Sequence, residues 1–252
     1  VIQSVTNILL KSLFKIKNHD PIVGQPPSAM THYFSSYRVM QDLSIVSFKK
    51  NLQGDWQLIE LGGEFSRLSY ALRYVMAQTK KIWKTHYPCN ILYTDPDTLC
   101  IKPLDLFGKF FEFRLFTDGH PLSRKQYHNC GVRYFPKELT DAFWESIDSK
   151  MSQWDHKKYD YEQETYIDCL WEQPSLYKQL SQPQSHVVKQ ITHKGHDAYN
   201  NYYSDAAILH VHASRGPTDQ LTCMQEYWAW INSNQAITEK YNDTRTQRNF
   251  KT

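Results

Sequence analysis

The stretch Ile91-Leu92-Tyr93-Thr94-Asp95-Pro96-Asp97-Thr98-Leu99-Cys100-Ile101-Lys102-Pro103-Leu104 constrains this chain more than any other. Asn90 to Thr94 is a short, nearly continuous apolar run, the pattern of a strand buried on both faces. Asp95 and Asp97 then stand at its C-terminal end, the edge at which open α/β sheets bind ligands. Two carboxylates one residue apart repel each other. A divalent cation with oxygen ligands relieves that repulsion and attracts phosphates, so the pair reads as a metal-diphosphate site. Asp-Pro-Asp is also sound turn chemistry, because Asp tolerates unusual dihedrals and Pro presets φ. The rest of the chain has to decide between these readings.

Upstream, Val1 to Leu10 reads as an opening strand, with Ser4, Thr6 and Asn7 at or near its end, a nucleotide-facing position in an α/β fold. Lys11 to Met30 carries Asp20-Pro21, Gly24 and Pro26-Pro27 and reads as a loop. Ser35 or Ser36 can cap a helix reaching Lys50, with Tyr37, Met40, Leu43 and Val46 on one face. Trp56 to Leu61 alternates as a strand ending at Gly62-Gly63, and Ser66 to His86 has helical apolar spacing. This β-α-β-α-β alternation predicts a mostly parallel sheet with right-handed crossovers. Arg67 and Arg73 fall on the second helix, either as surface or structural cations or as donor-binding groups.

Downstream, Phe110 to Phe116 reads as a strand, closed by Thr117-Asp118-Gly119-His120-Pro121. His128 to Pro136 is a turn into a strand, Leu139 to Trp154 a helix, and Tyr159 to Trp171 another, with Glu162-Gln163 near its start. Pro174 to Asn201 is too rich in breakers to assign. Ala206 to His212 is a short apolar strand that puts His210 and His212 on one face. Gln220 to Asn232 looks helical, and a polar tail follows.

A chain of 252 residues suits one large domain, and 40% hydrophobic residues suffice for its core. No window approaches the roughly 18 consecutive apolar residues of a membrane span. The net charge of +3 is slight and its Lys and Arg are scattered, which argues against a nucleic-acid surface and suits an anionic ligand. Five Cys without a CxxC pair argue against a disulfide framework or zinc site and for a reducing, cytoplasmic setting. The chain opens at Val1 without Met, leaving room for a targeting or anchor segment trimmed upstream.

Three patches in this order resemble the GT-A fold glycosyltransferases, especially the group related to glycogenin and the bacterial lipooligosaccharide galactosyltransferases. Ile91 to Leu104 is similar to that group's strand, Asp-x-Asp and Lys-Pro-Leu sequence. Asn129-Cys130-Gly131-Val132 resembles its Asn-small-Gly-Val turn at the sugar, and Glu162-Gln163 stands where the group often has Asp-Gln. His210 or His212 after an apolar strand is similar to its third metal ligand. Where the group continues with Gly and Lys-Pro-Trp, this chain has Ala213-Ser214-Arg215-Gly216-Pro217, so Arg215 would stand in for the Lys on a diphosphate.

The resemblance implies a GT-A type single domain over residues 1–252, with a Rossmann-like nucleotide-binding half (1–104), a sugar and acceptor half (105–217), and a C-terminal helix and tail (218–252). It implies a metal-dependent glycosyltransferase using a nucleoside-diphosphate sugar and a carbohydrate or other hydroxyl acceptor. Asp95, Asp97 and one His would hold Mn²⁺ or Mg²⁺, with His212 preferred over His210 for its place nearer the strand end, and the imidazole biasing the site toward Mn²⁺. Asn129, Cys130, Gly131 and Gln163 would meet the donor. Glu162 or Asp118 would act as catalytic carboxylate. A catalytically inactive nucleotide-sugar or glycan-binding module is the alternative from another class. A sugar nucleotidyltransferase is a third, weakened by the absence of a Gly-rich phosphate loop near the first strand.

Overall fold

The computed structural model describes residues 5–17, 29–105, 112–113, 128–129, 131–154, 165–166, 168–169, 172, 188–192, 207–212 and 220–233. Its centre is a four-stranded sheet of β1 (Thr6–Ile16), β3 (Gln57–Phe65), β4 (Cys89–Thr94) and β9 (Val132–Phe135), ordered β3-β1-β4-β9. The first three strands are parallel, and β9 runs antiparallel to β4. Helices α1 (Ala29–Asn51) and α2 (Leu68–Thr85) connect the parallel strands, as the alternation of patterns predicts. The chain steps from β1 outward to β3 and then back past β1 to β4. The strand order therefore reverses between β1 and β4, where open α/β sheets place their ligand crevice.

The two faces of this sheet follow from strand alternation. Ile8, Leu10, Ile91 and Tyr93 pack with Val75, Met76 and Trp83 of α2 and with Phe143, Trp144 and Ile147 of α3 (Asp141–Ser152). Leu9 and Leu92 face the other way, toward Phe48 of α1. Each of the six β4 residues is buried, as the continuous apolar run requires. Helix α2 turns its buried residues Ala71, Val75, Met76, Thr79 and Trp83 inward at helical spacing. It stops before Tyr87-Pro88, since a residue preceding Pro avoids the helical region. Helix α3 begins at Thr140, whose hydroxyl accepts from the Phe143 amide at 3.4 Å.

A second sheet stacks β10 (Val188–Thr192), β11 (Ile208–His212) and β5 (Thr98–Cys100), with β11 parallel to β10 and antiparallel to β5. Leu99, Ile101, Leu209 and Val211 join Met40 of α1 and Met224, Tyr227 and Ile231 of a helix over 220–233, here α4, in a further apolar cluster. Short pairings complete the described residues: β2 (Leu52–Gln53) with β6 (Leu104–Asp105), and β7 (Glu112–Phe113) with β8 (His128–Asn129). Among the described residues no helix is long and apolar enough to cross a membrane.

Three boundaries differ from the sequence reading. Strand β1 runs through Lys11 to Ile16, where a loop was expected from Lys11 onward. The extra turns of strand hold because β3 pairs with β1 residue for residue up to Ile16↔Phe65, and because Lys11 finds buried polar partners. Strand β3 continues through Gly62-Gly63 for the same reason, and α1 begins at Ala29, ahead of Ser35.

Candidate metal and donor site

Strand β4 ends at Thr94, and the backbone amide of Asp95 donates to Gly131 O at 2.7 Å, extending the β4–β9 pairing by one step. The chain then turns through Pro96 and enters β5, where Thr98 pairs with His210 of β11. The Val211 amide donates to Asp97 O at 2.8 Å. These backbone contacts bring together the ends of two sheets. As a result one ligand atom each from Asp95, Asp97 and His210 lies within 4.8 Å of the others. His210 Nε2 is 3.2 Å from Asp97 Oδ1. Among the described residues His210 is the imidazole beside the acids; the side chain of the preferred His212 lies outside them.

This cluster fits a divalent cation. Ligand atoms on an ion with bonds of about 2.1–2.6 Å stand up to about 4–5 Å apart, which matches the observed spread. Two oxygens and one nitrogen are a donor set that a divalent ion accepts. The electrostatics agree. Asp95 keeps some exposed surface, yet protein surrounds its carboxyl, and burial followed by the Asp97 charge pushes its pKa up to about 7. Arg133, His210 and a hydrogen bond from the Tyr93 hydroxyl to Asp95 Oδ1, 2.8 Å, pull the other way without cancelling it. A cation between the acids removes that strain.

Several neighbours fix the cluster's geometry. The Gln220 amide, in the first turn of α4, donates to Asp97 Oδ2 and to Val211 O at 2.7 Å. The Arg133 guanidinium lies 4.3 Å from the Tyr93 ring centroid, and its charge acts on Asp95. Gly131 sits flat against the imidazole: a Cβ built there would stand 2.3 Å from His210 Cε1 and 2.7 Å from Nδ1. Only a residue without a side chain allows that approach. On β1, Lys11 is fully buried. Its ammonium donates to Ser44 Oγ, to Asp95 O at 3.2 Å and to Thr98 Oγ1 at 3.1 Å, and burial lowers its pKa to about 7.

Of the expected donor-binding residues, the structure brings Gly131 to the cluster. Arg67 stands exposed at the N-terminus of α2, just past the C-terminal end of β3 and so on the ligand edge of the sheet. Thr6 and Asn7 do not reach that edge. They begin β1, opposite Cys89 and Asn90 at the far end of β4, and the Asn7 side chain is taken up by Asp55 O and Asn90. The expectation placed the end of β1 too early, and with it the polar residues. Arg73 is also elsewhere, donating to Met151 O at 2.7 Å and lying over Trp154, where it caps the end of α3. Ser4, Asp118, Cys130, Glu162, Gln163 and Arg215 lie outside the described residues, as does the side chain of Asn129. Lys11 and Gln220 are the residues that sequence reasoning missed. The run Leu9-Leu10-Lys11-Ser12-Leu13 held a faint signal for the first, a cation inside apolar alternation, whereas nothing local marks the second.

The fold is of the α/β class, with a mostly parallel central sheet and an acidic cluster at its ligand edge. The chain is similar to a solved structure described as a glycosyltransferase involved in the glycosylation of the major capsid of PBCV-1, with a TM-score of 0.52 over 88% of this chain and 99% of the other. At 14% identity the likeness is one of fold. No protein-family model and no curated protein matches the sequence.

Proposed function

We propose that this chain is a metal-dependent glycosyltransferase that moves a sugar from a nucleoside-diphosphate sugar to a glycan or other hydroxyl acceptor. The observation that carries the reading is the convergence of Asp95, Asp97 and His210 at the point of strand-order reversal. The glycosyltransferase fold supports it.

In this reading residues 1–104 form the nucleotide half and residues 105–217 the sugar and acceptor half. Asp95, Asp97 and His210 hold the ion against the donor diphosphate. Bound there, a divalent cation supplies Lewis acidity for charge accumulating on the departing nucleoside diphosphate. Arg67 offers the diphosphate a cation from the N-terminus of α2, where helix amides also favour anions. Arg215 serves the nucleotide end, and Asn129, Cys130 and Gln163 serve the sugar. Gly131 keeps the backbone low beside the imidazole. The acceptor oxygen bonds to the anomeric carbon as the bond from that carbon to the phosphate oxygen breaks, and the acceptor proton passes to a carboxylate, Glu162 or Asp118.

The test is a panel of nucleotide sugars with and without Mn²⁺, read by thermal unfolding and then by transfer. A donor at about a hundred times its dissociation constant adds about 2.7 kcal/mol, which a melting curve resolves. We expect one nucleotide class to stabilise the wild-type chain only with metal present. Stabilisation that ignores the metal and survives loss of both acids would sink the proposal. Metal-dependent binding without transfer or donor hydrolysis would turn it into a nucleotide-sugar binding module.

A further inference from the structure

Asp95 is gripped from both sides by consecutive residues of β1. Lys11 points to the α1 face, where its ammonium donates to the Asp95 carbonyl, to Thr98 Oγ1 and to Ser44 Oγ. Thr98 Oγ1 also donates to the Asp95 carbonyl at 2.7 Å, so one oxygen collects two bonds. Ser12 points to the opposite face, where its hydroxyl meets the Tyr93 hydroxyl at 2.8 Å, and Tyr93 in turn donates to Asp95 Oδ1. The main chain of Asp95 is therefore held through Lys11 and its carboxylate through Ser12 and Tyr93.

Lys11 is an unusual choice for such a place. It is wholly buried, and the three oxygens it contacts are all neutral. Burying an ammonium without a contacting carboxylate is unfavourable, and an apolar side chain of similar volume would pack there at less expense to stability. The Phe48 ring, 4.7 Å from Nζ, offers partial compensation. A charge near a divalent cation also opposes that cation's binding. The Asp95 and Asp97 charges attract the ammonium without making up for its burial, whereas its geometry accounts for the residue. An ammonium has three donors in a tetrahedral fan, and here each meets an acceptor from a different element: α1, the acidic turn and β5.

We propose that Lys11 is a positioning residue, a buried clamp that holds the Asp95–Thr98 turn in the shape that lets Asp95 and Asp97 share one cation with His210. The inference rests on the metal reading above and deepens it, since it concerns how the site is made ready for the ion.

The experiment measures Mn²⁺ binding to the full chain, without nucleotide, by the loss of the free-ion paramagnetic resonance signal. Wild type and Lys11→Met are compared, along with their metal-free melting temperatures. A clamp predicts about 10-fold or greater weakening of Mn²⁺ binding, the usual scale for a residue that orients a ligand. It also predicts a metal-free melting temperature equal to or above that of wild type. Charge alone predicts the opposite sign, tighter binding. Unchanged or tighter binding by Lys11→Met overturns the clamp while leaving the metal site standing; absence of binding by the wild-type chain overturns both. Should Lys11→Met fail to fold, Thr98→Val carries the test, with about 3- to 10-fold weakening expected from loss of the hydroxyl's bonds to Asp95 O, Lys11 and Ser44. Wild-type affinity in that variant refutes the clamp.

Discussion

On the α2–α3 face of the central sheet, Ile8, Leu10, Ile91 and Phe135 meet Trp83, Phe143, Trp144 and Tyr166, and rings pack on rings, as Phe135 does on Trp144 at 5.6 Å. On the α1 face, toward the ends of the same strands, Lys11, Ser44 and Thr98 fill comparable depth with ammonium and hydroxyl groups. The first region is held by area and shape, which many combinations of apolar residues can supply. The second is held by directed bonds, each of which fails if its partner shifts. Stability is therefore concentrated in the aromatic layer and ligand geometry in the polar one, so changes in the two should separate cleanly.

The sharpest separation comes from Trp144→Ala, which should lower unfolding free energy by about 3–5 kcal/mol by opening a cavity in the aromatic layer. Mn²⁺ affinity of the protein that remains folded should stay near wild type. Chemical denaturation and metal titration on one sample check both halves, and a matching loss of metal affinity would erase the contrast.

Asp97→Asn tests the converse. Metal-dependent nucleotide binding should fall by more than about 100-fold, beyond what loss of an orienting residue causes. The metal-free protein should melt no lower than wild type, because one of two repelling carboxylates is gone. Calorimetric titration with and without chelator reads the first effect.

Gly131→Ala should weaken Mn²⁺ binding by about 10-fold through displacement of the His210 ring, an indirect effect on a ligand's orientation. Gly62→Ala is the control. A Cβ there meets only Leu13 O, at 3.8 Å, and metal binding should not change.

The smallest effect is in pH. The Asp95 carboxyl has a folded pKa of about 7, above its ordinary value near 4, so the fold favours its protonated form. Its contribution to metal-free stability is then lost as pH rises from about 4 to about 7 and stays lost above that. Lys11 works in the other direction and in another window: depressed to about 7, it penalises the fold fully below that pH and less as pH climbs toward about 10.5. The stability gap between Asp95→Asn and wild type should consequently widen between about pH 4 and 7 and level off. Denaturant midpoints across that range provide the measurement, and a flat gap contradicts the raised pKa.

The pattern of the chain made much of this legible. The run Asn90 to Thr94 is a strand buried throughout, Asp95 stands at its C-terminal edge, and the helix that precedes it is in place, because each of these rests on local periodicity. Arg73 shows where such reading stops. Its charge left a structural partner and a phosphate both open, and the partners are carbonyls at the end of α3, far away in sequence. Thr6 and Asn7 differ for a related reason: polar residues inside a strand do not mark its end, and here the strand carries them at its start and ends later.

What the sequence by itself determined was the class of fold, the acidic turn and its edge, and the pair of histidines sharing one strand face, all consequences of spacing within a dozen residues. That His210 reaches the acids was decided by tertiary structure. Alternation alone does not bring its ring to Asp97; the antiparallel register that sets His210 against Thr98 does. The same holds for Lys11 and for the bond from Gln220 to Asp97, which join residues 33 to 123 positions apart. A hydrogen bond of about 3 Å depends on where separate elements dock, and docking is fixed by the packing of whole faces, which no short window of sequence contains.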